Sequence, residues 1–166
     1  MRKKIALKLL FELIKNSKRS DRELAKILRV SQPTVTRMRQ KLEKKIIKEY
    51  TAIPDWVELG YELIAFTFGN VKYLQPSETE EQARKAKDWL MKHPSIIFAS
   101  GGDGMGMNGM CISFHKDYTS FANFIAECQT EWGGYLKDMQ FFLVSMKGGF
   151  LLKPFSLKYL EKAEEL

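Results

Sequence analysis

The residues best able to do chemistry are polar and cationic side chains at helical spacing, and the chemistry they offer is recognition without bond making. Pro33, Thr36, Arg37, Gln40 and Lys44 fall on one face of a segment read as a helix, flanked by Thr34 and Lys41. Short hydroxyl side chains allow a helix to sit close in a major groove, and Arg or Gln can pair bidentately with guanine or adenine edges. Gln32, Pro33, Thr34, Thr36, Arg37 and Gln40 form the expected base-reading set. Arg22, Ser31, Lys41, Lys44 and Lys45 are better placed for phosphates, contacts that position a protein on a duplex without reading it.

A second candidate is the glycine-rich run Gly101–Gly109. Its glycines admit close backbone approach to a small ligand, and Asp103 or Asn108 gives polarity; a plain hairpin turn explains the same residues. The run lacks the GxxxxGK[ST] pattern, and no GxGxxG opens a helix, so phosphate cradling is not indicated. The two histidines, His93 and His115, lie at a helix end and a strand end, where surface positions are expected. Cys111 and Cys128 are far apart without CxxC spacing and are read as buried apolar side chains. No nucleophile and base pair and no carboxylate cluster emerges from spacing. Neither a cofactor nor a metal is expected.

Charge and composition agree with a polyanion-binding head. Residues 1–60 hold 16 Lys and Arg against 7 Asp and Glu, whereas residues 61–166 hold 11 against 13. The basic excess therefore belongs to the N-terminal third, where neutralising phosphates releases counterions. With 45% hydrophobic and 28% charged residues the 166-residue chain can bury a core. No apolar run approaches the roughly 18 residues of a membrane span. Lys8, Glu12 and Lys15 interrupt the first apolar stretch, unlike a signal peptide, so a cytoplasmic protein is expected.

The elements that must hold the reading face follow from periodicity and caps. Ile5, Leu9, Leu10, Leu13 and Ile14 predict a first helix over Arg2–Lys15. Ser20 with Glu23 forms a capping box for a second helix, whose buried face is Leu24, Ala25, Ile27 and Leu28. After the turn Arg29–Val30, Ser31 caps a third helix with Val35, Met38 and Leu42 on its buried stripe. Ile46–Ala52 is suited to a strand, as in a winged variant.

Beyond Tyr61 the pattern turns to strands and helices in the order β-α-β-β-α-β, a ferredoxin-like arrangement. A first strand begins near Leu63, and a helix capped by Ser77 with Glu80 runs to His93. Strands at Ile96–Ser100 and Met110–Phe114 flank the glycine run as its connecting loop. A helix capped by Asp117 ends at Gly133–Gly134 in left-handed geometry, and a last strand spans Met139–Met146. The chain is thus α+β, with an N-terminal winged helix-turn-helix domain over 1–53, a linker over 54–60, and a ferredoxin-like domain over 61–166. A four-stranded sheet with helices on one face leaves the other to be covered, most simply by a second subunit.

The run DRELAKILRVSQPTVTRMRQKLEKKIIKEYTAIPDWVELGY, from Asp21 to Tyr61, resembles the Lrp/AsnC family of regulators. Its carriers are Glu23-Leu24-Ala25, Ser31, Val35, Arg37, Leu42-Glu43, Ile47-Lys48, Tyr50 and Leu59-Gly60-Tyr61. The order Met38-Arg39 reverses the family's usual basic-then-aliphatic pair, and the glycine before the wing is missing. The resemblance implies a transcription regulator that binds double-stranded DNA as a homodimer or higher homo-oligomer. It also implies a second domain, of RAM type, that senses an amino-acid effector at the glycine run, through Gly102, Asp103, Gly104, Met105 and Asn108, with the closing KPFSLKYL as its C-terminal strand region. Two other classes share parts of the pattern. Siroheme-decarboxylase enzymes have the same two-domain plan but rely on histidine-containing motifs, and an adaptor would use the helix-turn-helix for protein contacts, for which Arg37, Lys41 and Lys44 are the wrong charge.

Overall fold

The structure is a computed structural model in which residues 2–72, 76–149 and 151–160 are described. The chain divides into two compact units, one holding residues up to Ile53 with the closing segment from Pro154, the other Pro54–Lys153.

The first unit is built on three helices, α1 (Arg2–Lys15), α2 (Asp21–Leu28) and α3 (Gln32–Lys45). Ser20 caps α2 through the Glu23 amide while the Glu23 carboxylate accepts from the Ser20 amide, so two otherwise unpaired donors are satisfied reciprocally. Arg29 adopts the left-handed conformation at φ 55°, and the Val30 amide donates to the Ala25 carbonyl, which turns the chain sharply into α3. Leu9, Leu13, Leu24, Ala25, Val35 and Leu42 interlock as the core, with Met38 and Ile47 packed against it. Complete burial of side chains such as Leu9, Leu24 and Val35 contributes about 1.5–3 kcal/mol each.

Two expectations for this unit are corrected. Ile27 is 48% exposed and does not belong to the buried face of α2. The strand expected over Ile46–Ala52 is not formed: Ile46 ends α3 by donating its amide to the Leu42 carbonyl, and the following residues have no ladder partner among the described residues. Tyr50 instead donates its hydroxyl to the Glu43 carboxylate at 2.9 Å, which ties this segment to α3.

In the second unit, β1 (Leu63–Val71), β2 (Ile96–Gly104), β3 (Met107–His115) and β4 (Leu136–Ser145) make a wholly antiparallel sheet in the order β2-β3-β1-β4. The helices α4 (Pro76–Lys92) and α5 (Tyr118–Trp132) complete the β-α-β-β-α-β order. Ala65 and Cys111 on one face of the sheet pack with Phe121, Phe124 and Cys128 of α5 and with Trp89 of α4. On the opposite face Ile64, Phe114 and Met146 gather Trp56, Tyr61, Phe66 and Val144. Farther along that face Phe66 pairs across strands with Ile112 and Phe142, and Phe142 remains 64% exposed.

The glycine run is a hairpin rather than a loop, because β2 continues to Gly104 and β3 starts at Met107. Gly133 does not adopt a left-handed C-cap; it sits at φ −55°, and its need is spatial, since a Cβ there would lie 2.4 Å from the Gln129 carbonyl oxygen. Helix α4 starts at Pro76, so Ser77 lies inside it rather than before it, and the Ser77 side chain falls outside the described residues. KPFSLKYL forms no strand, its last four residues making a single 3₁₀ turn. The Asp117 cap is present, with its carboxylate accepting from the Ser120 amide at 2.6 Å. No helix of the described residues is long and apolar enough to cross a membrane.

Candidate functional site

The cationic face of α3 is available to a partner. Burial of Val35 and Leu42 fixes which side of the helix turns inward, and at 3.6 residues per turn the far side carries Pro33, Arg37, Gln40 and Lys44. All four are exposed, as are Ser31, Gln32, Lys41, Lys45 and, on α2, Arg22. Pro33 occupies the first turn of α3, where its missing amide hydrogen costs nothing. Arg37 donates from Nε to the Pro33 carbonyl at 3.4 Å, which anchors the stem of the guanidinium near the start of the helix. Ser31 is the N-cap by backbone conformation, but its hydroxyl meets the Thr34 hydroxyl at 2.8 Å and makes no side-chain cap.

Thr36 differs from its neighbours. It is half-buried, and its hydroxyl donates to Asp21 Oδ2 at 2.6 Å. Asp21 Oδ1 lies 2.9 Å from Nη1 of Arg39, and Arg39 Nη2 donates to the Arg19 carbonyl at 2.9 Å. Sequence reasoning gave neither Arg39 nor Asp21 a part in the site. The signal was present in the spacing: Arg39 stands four residues after Val35 and three before Leu42, on the buried stripe.

At the hairpin, Met105 and Gly106 both have positive φ, 54° and 71°, as a two-residue turn matched to strand twist requires. Gly102, Asp103, Gly104 and Met105 are exposed together at its tip. Asn108 turns the other way, its amide group bonded to both backbone groups of Val71.

The histidines are not the surface residues that were expected. His115 is 2% exposed, bonded through Nε2 to the Ser113 hydroxyl at 2.8 Å, and burial, with a smaller push from His93, holds its pKa below the ordinary value. His93 Nδ1 accepts from Ser95, by its amide at 3.3 Å and its hydroxyl at 2.9 Å, which leaves Nε2 to donate to Glu127 at 3.1 Å. Both rings border a cavity of about 210 Å³ that Tyr61, Phe114 and Lys116 also line. The ring nitrogens with described partners thus bond to Ser95, Glu127 and Ser113, and not to each other. Cys111 and Cys128 are buried in the α5 core, and burial raises both thiols, Cys128 to about 12, so neither is a ready nucleophile. Among the described residues no three His, Cys, Asp or Glu side chains are grouped to hold a metal ion.

Comparison with known proteins bears on this geometry. Residues 2–45 match a family described as winged helix-turn-helix DNA-binding. The HTH-type transcriptional regulator Ptr1 of Methanocaldococcus jannaschii is 31% identical over 125 residues, which span 75% of this chain and 79% of that protein. A leucine-responsive regulatory protein of Rhizobium meliloti is 26% identical over 124 residues, 74% of this chain and 76% of its own length. Among solved structures, a transcriptional regulator from Neisseria meningitidis in complex with L-Met superposes with a TM-score of 0.74 at 19% identity, covering 87% of this chain and 90% of that one.

Proposed function

The chain belongs to the Lrp/AsnC family and is a DNA-binding transcription regulator, and from that premise we propose that it reads operator sequence with the exposed face of α3 as a two-fold dimer tuned by a small effector. In this reading residues 1–53 belong to the DNA-binding unit and Pro54–Lys153 is the assembly and sensing unit, which takes in the expected connector 54–60, and the protein works in the cytoplasm without catalysing a reaction. Arg37 and Gln40, with Gln32, Pro33 and Thr34, meet base edges; Arg22, Ser31, Lys41, Lys44 and Lys45 neutralise phosphates.

The observation that carries the reading is the exposure of Arg37, Gln40 and Lys44 on the side of α3 opposite buried Val35 and Leu42. A lone short helix gives little discrimination, and two-fold related heads would read an inverted repeat. The partly exposed aromatic band Phe66–Phe142 on the helix-free face of the sheet supports pairing with a second copy through that face. An effector at the Gly102–Met105 tip is supported by its exposed, glycine-rich backbone and by the methionine complex of the Neisseria regulator. The effector class is an amino acid.

Titration of a labelled duplex pool with the full chain across a salt series tests the reading. Affinity falling steeply with salt is expected, because each neutralised phosphate adds about 0.9 to the slope of log K on log salt; an affinity independent of salt contradicts it.

A further inference from the structure

One polar cluster joins α2 to α3 where apolar packing alone would have sufficed. Arg39 projects from the buried stripe of α3, with 21% of its side chain exposed; its Nη2 donates to the Arg19 carbonyl at 2.9 Å, and its Nη1 forms an ion pair with Asp21 Oδ1 at 2.9 Å, without a hydrogen bond to that oxygen. Asp21, 18% exposed, uses its other oxygen to accept from Thr36 at 2.6 Å. Arg19 in turn is paired with Glu12 of α1. The chain Glu12, Arg19, Arg39, Asp21, Thr36 therefore crosses all three helices, and α3 is held at two side chains nearly one turn apart.

Ion pairs this sheltered contribute little net stability, because desolvation offsets their attraction, whereas apolar side chains of similar volume would pack as well. What the cluster adds is direction. Apolar contacts at Val35 and Leu42 tolerate a small rotation of α3 about its axis; the hydrogen bonds from Arg39 to the Arg19 carbonyl and from Thr36 to Asp21 Oδ2, both directional, do not. A rotation of roughly 20° shifts a side-chain tip about 6 Å from the axis by about 2 Å, enough to lose a base-edge hydrogen bond.

We propose that Asp21, Thr36 and Arg39 are positioning residues that fix the rotation of α3, and thereby the register in which Arg37 and Gln40 meet a duplex. The proposal rests on the reading of α3 as the base-reading helix. It removes Thr36 from the base-reading set and gives its hydroxyl to Asp21.

The test uses the full chain, with a consensus duplex selected by the parent protein and a random duplex of equal length. Affinity for each is measured beside thermal unfolding, at a temperature where every variant is folded. Arg39→Lys keeps the charge and loses the guanidinium's simultaneous reach to the Arg19 carbonyl and Asp21; Thr36→Val keeps the shape and loses the hydroxyl. Both are expected to lower the ratio of consensus to random affinity, Arg39→Lys by about tenfold, while binding to random DNA stays at the parent value. Their combination should cost less than the sum of the single losses, since both act through Asp21. Should Arg39→Lys not fold, Thr36→Val alone decides. Variants that melt earlier but keep the parent ratio overturn the proposal, leaving the cluster a structural contact. A Thr36→Val effect confined to one base position, with none from Arg39→Lys, overturns it in favour of Thr36 as a reader. A parent without sequence preference, or an Arg37→Ala variant that retains it, overturns instead the reading of α3 itself.

Discussion

Asn108 grips Val71 at both of its backbone groups: Oδ1 accepts from the Val71 amide at 2.7 Å, and Nδ2 donates to the Val71 carbonyl at 3.0 Å. The side chain thus extends the pairing of β1 beyond Gly69–Gly109, where the backbone ladder with β3 ends, and Asn70 donates from its side-chain Nδ2 to the Gly106 carbonyl. Asn108→Ala is expected to cost about 1–2 kcal/mol and to speed exchange of the Val71 amide. Hydrogen exchange of that amide checks it; unchanged protection would leave Asn108 free to serve a ligand instead.

Removal of single cations should separate reading from anchoring. Arg37→Ala is expected to cost about 1–3 kcal/mol on the selected sequence and little on random DNA, while Lys44→Ala should weaken both alike and reduce the salt slope by about 1. Paired titrations on consensus and random duplexes measure both. Equal losses on the two duplexes for Arg37→Ala contradict its assignment.

Acid should destabilise the second unit before the carboxylates respond. The folded state holds His115 below its ordinary value of 6.5, chiefly through burial, so below pH 6.5 the unfolded chain takes up a proton that the folded chain refuses. Stability is complete above that pH and is lost as pH falls toward the folded pKa, after which this contribution is constant. The capping carboxylates Glu23 and Asp117 have values lowered from 4.5 and 3.8 by their serine and backbone hydrogen bonds, and act only in more acid solution. Thermal melts from pH 7.5 to 5 should therefore slope downward, and His115→Gln should flatten the slope; an unchanged slope assigns it elsewhere.

Pairing through the open face of the sheet is tested at Phe142. Phe142→Glu places a charge in the Phe66–Phe142 band and is expected to convert a dimer to monomers in sedimentation while the β-structure content is retained. A dimer that survives the change lies on another surface.

The caps and spacings of the first unit carried most of its structure. Ser20 and Glu23 announce α2, and Val35 with Leu42 orient α3 correctly. What spacing could not supply was tertiary polar contact. Thr36 looks like a groove-facing hydroxyl by helical phase, and its engagement by Asp21, fifteen residues earlier, appears only when α2 is folded against α3. The reversed order Met38-Arg39 was visible, and the structure gives it a consequence, with Arg39 reaching Asp21 and Arg19. Ile46–Ala52 had the residue types of a strand without a partner strand to pair with, which propensity cannot register. The glycine run misled for a different reason: glycine is read as punctuation, yet Gly101 and Gly109 pair within the ladder, and only Met105–Gly106 turns. His115 follows the same logic, since a histidine at a strand end reads as exposed until α5 is laid over it.

Whether the exposed face of α3 reads sequence is decided by enrichment of a random duplex pool by the full chain. The expected product is an inverted-repeat consensus whose half-sites lie about one helical turn, 10–10.5 base pairs, or a multiple of it apart, with preference at individual bases lost in Arg37→Ala. Failure to retain any duplex at low salt, or retention with no sequence enriched, would contradict it.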